Sequence, residues 1–162
     1  MGSNRNLYDG STYVDCGGTT ADNNYRWTIE EVQYLPVAVS SEVGYGTLYA
    51  PVDLALRENL AAYTATVNGS SLQLQAVTDK IPAGTAVILK DNGAVRDANT
   101  NCIYLQVTSE ATAVSSNDLT GTYKAIAKPA AGSVKIYTLQ NPEAGIGFYK
   151  YTGANLGGFK AY

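Results

Sequence analysis

The chain has 162 residues, 45% of them apolar and only 15% charged, with a formal net charge of −3. That length suits one domain with one substantial core, and the apolar share excludes a disordered chain. The basic residues are scattered singly rather than gathered in a stripe, which argues against a nucleic-acid partner, and no apolar run is long enough to span a membrane.

Histidine is absent, which removes the commonest general base and the commonest zinc ligand together. There is no serine elbow, no phosphate-cradling glycine motif and no cysteine–histidine pair. No catalytic residue, cofactor or metal site is therefore expected, and the chain reads as something other than an enzyme. Cys16 and Cys102 are the only cysteines. Two in a chain this long are no disulfide framework, and free thiols are the expectation. Tyrosine, by contrast, occurs 13 times. It suits half-buried β-surfaces and binding faces, where one end of the ring is apolar and the other wet.

In chain order, Met1-Gly2-Ser3 reads as an expression scar, so the native start is expected upstream. "NNYRWTIEEV" then reads as a strand with Tyr25, Trp27 and Ile29 on one face and Arg26, Thr28 and Glu30 on the other. Trp27 shares its face with apolar neighbours and is expected in a core. Glu30 and Glu31 point to opposite faces of a strand, so they cannot flank one glycosidic bond. "VGYGTLYA" follows, its two glycines marking a bulge or a close neighbour. "RENLAAY" has room for one helical turn. "YTATVNGSSLQLQAV" is the clearest hairpin. Tyr63, Ala65 and Val67 share a face, as do Leu72, Leu74 and Ala76, and Asn68-Gly69 supplies the turn. A two-residue loop would pair Ala65 with Leu72 and a four-residue loop Val67 with Leu72. Either keeps the apolar set on one face.

"TAVILK" is apolar throughout its centre, as a strand covered on both faces would be. The loop "DANTN" sets Asp97, Asn99 and Asn101 at alternate positions, with Asp91 nearby. The glycine and the terminal glutamate of a calcium loop are missing, so side-chain-capped turns are the expected use. "CIYLQV", "SVKIYTL", "GIGFYKYTG" and "FKAY" supply further short strands between Gly- and Pro-rich turns. No long window has a helical period. The pattern predicts an all-β fold, an antiparallel β-sandwich or barrel of short strands with negligible helix.

The tyrosines near the C-terminus give a candidate site. A five-residue loop from Asn141 to Gly145 would set Tyr137 opposite Tyr149 and Lys135 opposite Tyr151. Those four side chains would share one face with Leu139, while Val134, Ile136, Ile146 and Phe148 would face the core. Three tyrosines beside a lysine could stack on sugar rings while their hydroxyls hydrogen-bond. On this register Lys150 falls on the core face and must lie at the sheet rim.

From Tyr25 to Tyr162 the chain resembles C-terminal β-modules of secreted, surface-associated proteins of gut anaerobes, often attached to glycoside hydrolases. The phrases that carry the resemblance are "RWTIEEVQYLPVAV", "GYGTLYAPVDL", "KIPAGTAVILK", "NDLTGTY", "YTLQNPEAGIGFYKYTG" and "FKAY". The Trp-containing phrase commonly closes a lectin-like β-trefoil in such proteins. Residues 1–33 would then be a leader and the tail of an upstream domain, or an edge strand of the module, and residues 34–162 the module itself. The resemblance implies an extracytoplasmic, non-catalytic accessory module. A glycan and upstream domains of the same polypeptide are its expected partners. The alternative is a purely structural spacer or C-terminal cap.

Overall fold

The computed structural model describes residues 6–7, 13–15, 26–28, 33–128 and 135–162. The chain divides into two compact units, Met1–Gln33 and Tyr34–Tyr162. In the first, β1 (Asn6–Leu7), β2 (Tyr13–Asp15) and β3 (Arg26–Thr28) form an antiparallel three-stranded sheet. Trp27 lies in β3, but its side-chain burial is not described, and Tyr25, Ile29, Glu30, Glu31 and Cys16 lie outside the described residues.

The second unit begins with β4 (Tyr34–Val37), β5 (Tyr45–Tyr49), β6 (Asp53–Ala55) and β7 (Leu60–Asn68). β8 (Ser71–Val77), β9 (Lys80–Ile81), β10 (Ala86–Asp91) and β11 (Ile103–Thr108) follow. Six short strands complete the chain: β12 (Gly121–Thr122), β13 (Ile126–Ala127), β14 (Tyr137–Gln140), β15 (Gly147–Lys150), β16 (Asn155–Leu156) and β17 (Lys160–Ala161). Every regular element among the described residues is a strand, so the fold is all-β. No helix among them is long and apolar enough to cross a membrane.

Two four-stranded antiparallel sheets dominate this unit, ordered β5-β10-β7-β8 and β4-β11-β6-β9. They share one core. Leu48, Leu60, Ala62, Val87 and Leu89 come from the first sheet and Val37, Leu54, Ile81, Ile103 and Leu105 from the second. The continuous apolar run of β10 matches burial on both of its faces: Val87 and Leu89 enter the shared core, and Ala86 and Ile88 on the opposite face are buried as well. Gly46 meets the close neighbour its strand pattern implied, since a Cβ there would lie 2.9 Å from the Ala38 carbonyl oxygen.

The hairpin β7–β8 runs in unbroken register from Ala62↔Val77 to Asn68↔Ser71. Val67 therefore faces Leu72, and only Gly69 and Ser70 remain in the loop, with Gly69 at φ +62°. The single helical turn expected at "RENLAAY" does not form. A tight turn closed by Leu60 N–H on the Arg57 carbonyl, with Asn59 at φ +61°, reverses the chain, and Leu60 to Tyr63 already belong to β7. The alternating burial of Leu60, Ala61, Ala62 and Tyr63 has the period of a strand.

Past Tyr63↔Ile88, β7 and β10 separate. Had the ladder continued, Ala65 and Ala86 would have been the next facing pair to exchange hydrogen bonds. The carboxamide of Asn117 occupies that place: its Oδ1 accepts Ala65 N–H at 3.2 Å and its Nδ2 donates to the Ala86 carbonyl at 2.8 Å. Asp118 continues the substitution, donating its N–H to the Ala65 carbonyl and accepting Val67 N–H on Oδ2 at 2.7 Å. A side-chain pair thus stands in for a strand along the free edge of β7.

Residues 120–128 and 135–162 form a nested ribbon. Thr120 and Tyr162 exchange backbone hydrogen bonds, β12 pairs with β17, β13 with β16, and β14 with β15 at the far end. β17 also lies along β5, where Tyr49 N–H donates to the Phe159 carbonyl and Ala161 N–H to Thr47 Oγ1.

The loop between β10 and β11 is held by the carboxylates of Asp97 and of Asp91 at the end of β10. Asp97 Oδ1 accepts the N–H groups of Asn99 and Thr100 and the Thr100 hydroxyl, as a capped turn would. Asp91 accepts Gly93 and Ala94 N–H and pairs with Arg96, whose guanidinium also donates to the carbonyls of Val39 and Asn101. Cys102, next to this loop, is a half-buried free thiol. Burial pushes the Asp91 carboxyl up, but the Ala94 N–H, the Arg96 guanidinium and the Gly93 N–H outweigh it, and the pKa falls below its ordinary 3.8. A depressed folded value stabilises the fold above the unfolded pKa, and that contribution is lost as pH falls through the folded value. Asp91→Asn is expected to lower stability in urea at neutral pH, with the deficit against wild type shrinking as the pH is taken below about 4.

Candidate functional site

The C-terminal hairpin carries the candidate site, and its register differs from the one expected. The pairs are Tyr137↔Lys150, Thr138↔Tyr149, Leu139↔Phe148 and Gln140↔Gly147. Gly145 N–H closes a turn on the Pro142 carbonyl, and Gly145 is left-handed at φ +98°. The ladder resumes only at Gly147, so Ile146 joins the loop and is exposed rather than in the core. One extra loop residue moves every side chain of one strand to the opposite face relative to its partner.

The four residues therefore divide. Tyr149 and Tyr151 share a face with Ile136, Thr138 and Gln140, and Tyr151 N–H donates to the Ile136 carbonyl. Lys135 and Tyr137 lie on the other face, with Leu139, Phe148 and Lys150. Lys150 is thus an exposed residue on the exposed side, and the conflict at the sheet rim disappears. Of the expected core residues, Ile136 is buried, Phe148 is half-buried on the Tyr137 face, and Val134 lies outside the described residues.

The two faces have different chemistry. Tyr149 donates its hydroxyl to the Gly145 carbonyl at 2.9 Å, folding the ring back on its own loop. Tyr151 donates to the Asn155 carbonyl, and the Lys128 ammonium stands 5.9 Å from its ring centroid. Both hydroxyls are engaged within the ribbon.

Lys135 and Tyr137 instead line a cleft of about 610 Å³ between this hairpin and the tip of β7–β8. Val67 and Leu72 form the wall on the β7–β8 side, Phe148 and Tyr137 the opposite wall, and Leu119 and Tyr162 also line it. Val67 is 61% exposed and Tyr137 44% exposed, so apolar surface is presented to solvent here. Ser70, Ser71, Asp118, Thr120 and Lys135 contribute polar groups. One Asp118 oxygen holds Val67 N–H, and the other has no hydrogen-bond partner among the described residues. The size and the mixture, apolar walls with a few polar groups, are those of a small-ligand site. Tyr151 lines a different cleft of about 440 Å³, beside Tyr45, Thr138 and Leu156.

No protein-family model, curated protein or solved structure matches this chain.

Of the four candidate residues, Lys135 and Tyr137 line this cleft and Tyr149 and Tyr151 do not; Val67, Leu72, Asp118, Leu119, Phe148 and Tyr162, which also line it, were not among the sequence candidates. Their sequence separation is wide, and no local pattern joins them. The one available signal was the apolar set of the β7–β8 hairpin, which runs to the very tip of the turn, farther than a core needs.

Tyr149→Phe removes one hydrogen bond outside the cleft. It is expected to cost about 1 kcal/mol in urea unfolding while leaving any ligand affinity of the cleft unchanged.

Proposed function

We propose that residues 34–162 are a non-catalytic accessory module of a secreted or cell-surface, glycan-targeting protein, and that the cleft holding Lys135 and Tyr137 is its glycan-contacting site. The observation that carries this reading is the partly exposed Tyr137 ring facing Val67 and Leu72 across an open cleft rimmed by hydroxyls and a carboxylate. A pyranose ring has an apolar C–H face and a polar hydroxyl edge. An aromatic platform with acceptors and donors at its rim meets both. The sequence resemblance supports the extracytoplasmic setting and the partnership with other domains of the same polypeptide. The lack of histidine and of any spaced catalytic set supports an accessory rather than a catalytic role.

A second reading, a purely structural spacer or cap, is favoured by the internal engagement of the Tyr149 and Tyr151 hydroxyls. Those two tyrosines consolidate the ribbon and present no hydroxyl outward. The two readings part on whether the cleft takes a ligand.

A glycan array followed by calorimetry on the wild-type protein separates them. The proposed site predicts at least one binding glycan, with Tyr137→Ala weakening it about tenfold, ~1.4 kcal/mol. Because Tyr137 is partly exposed, this variant should keep its fold. An array with no binder, or binding that survives Tyr137→Ala unchanged, favours the structural role.

A further inference from the structure

The four outer strands of the two large sheets are treated unequally. β5 is covered on its free side by the β17 segment, through Tyr49 N–H to Phe159 and Ala161 N–H to Thr47. β4 has four residues, one of them Pro36, and β9 has two, one of them Lys80. Covering, shortness, proline and lysine are the usual means by which sheets avoid pairing with other chains. β8 has none of them. Its seven residues, Ser-Leu-Gln-Leu-Gln-Ala-Val, carry no charge and no proline. Its pairing with β7 is continuous, without a bulge, and no strand pairs with its outer side among the described residues.

The side chains of β8 are also poorly buried. Leu74 is 50% exposed, and Gln73, Gln75 and Ala76 are exposed too. The strand is about 24 Å long and offers an unbroken row of backbone donors and acceptors.

We propose that β8 is the contact strand of a symmetric dimer of this chain, pairing antiparallel with β8 of a second copy. The sequence of the strand selects that occupant. With Leu74 on the two-fold axis, Leu74 faces its own counterpart, Gln73 faces Gln75, Leu72 faces Ala76, and Ser71 faces Val77. Every apolar residue of the Leu74 face then meets an apolar residue, and the glutamine amides, each both donor and acceptor, meet one another. Asp79, the first charged residue beyond the strand, would come opposite Gly69, so no like charges meet. A two-fold contact of this kind is self-limiting. It consumes both free edges and joins two four-stranded sheets into one of eight strands. The contact shares Ser71 and Leu72 with the cleft wall, whereas Leu74, the residue at its centre, lies outside the cleft, so the two readings are tested at different side chains.

Analytical ultracentrifugation over a concentration series tests it, with hydrogen exchange read in parallel. Wild type is expected to sediment as a dimer with a micromolar dissociation constant, and the alternate β8 amides that point away from β7 should gain protection as dimer forms. Leu74→Lys places two ammonium groups face to face on the axis and should give a monomer whose thermal unfolding matches that of wild type diluted below its dissociation constant. Val95→Lys makes the same charge change at a residue 69% exposed elsewhere and should remain dimeric. A wild-type monomer at every concentration overturns the proposal. So does a dimer that persists in Leu74→Lys, or one that forms without added protection in β8.

Discussion

Asn117 sits where two strands part, and the rest of the second unit depends on how it fills that gap. A sheet whose central strands separate leaves backbone groups without partners, and each such group costs about 1–3 kcal/mol when shielded from water. A carboxamide has a donor and an acceptor at nearly the spacing of a peptide group. That lets one side chain satisfy Ala65 N–H and Ala86 C=O at once. Aspartate in its place would keep the acceptor and lose the donor, and leucine would lose both. Among the described residues no buried side-chain polar atom is left without a partner, so the interior has little slack to absorb such a change.

The fork also fixes the ribbon that follows. Asn117 and Asp118 bind β7 within a few ångströms of each other, and two residues later Thr120 pairs with Tyr162. The strand closing the chain is therefore registered against the same anchor, and it covers the free side of β5 in turn. One wall of the cleft is the tip of β7–β8, the segment that parted from β10. Residues Asp118 to Thr120 and Tyr162 belong to the anchor, and Tyr137 and Phe148 to the hairpin nested inside the ribbon. The cleft thus lies between the projecting tip of β7–β8 and the hairpin nested in the ribbon, with the anchor at its base.

Much of the architecture was legible in the sequence because it rests on local pattern. Period-two alternation and the Asn-Gly signal gave the β7–β8 hairpin with its apolar set on one face, though Asn68 ends β7 and the loop residues are Gly69 and Ser70, and the unbroken apolar run of β10 gave a strand buried on both faces. The alternating Asp97, Asn99 and Asn101 of "DANTN" gave a turn capped by Asp97. What failed was decided by one residue at a time. Whether Ile146 belongs to the loop or the strand turns on the left-handed backbone of Gly145, and that single step sends Tyr149 and Tyr151 away from Tyr137. "RENLAAY" has the composition of a helical turn, but burial against the core selects the strand. The bridge made by Asn117 spans 52 residues to Ala65 and 31 to Ala86, and no periodicity signals a contact of that kind.

Residue-resolved hydrogen exchange on Asn117→Ala tests most directly whether this side chain couples the sheet to the ribbon. The amides of Ala65, Val67, Asp118, Thr120 and Tyr162 are expected to lose protection together, by about tenfold or more, while Leu89, in β10, stays close to wild type. Loss confined to Ala65, with Thr120 and Tyr162 protected as in wild type, would contradict this coupling.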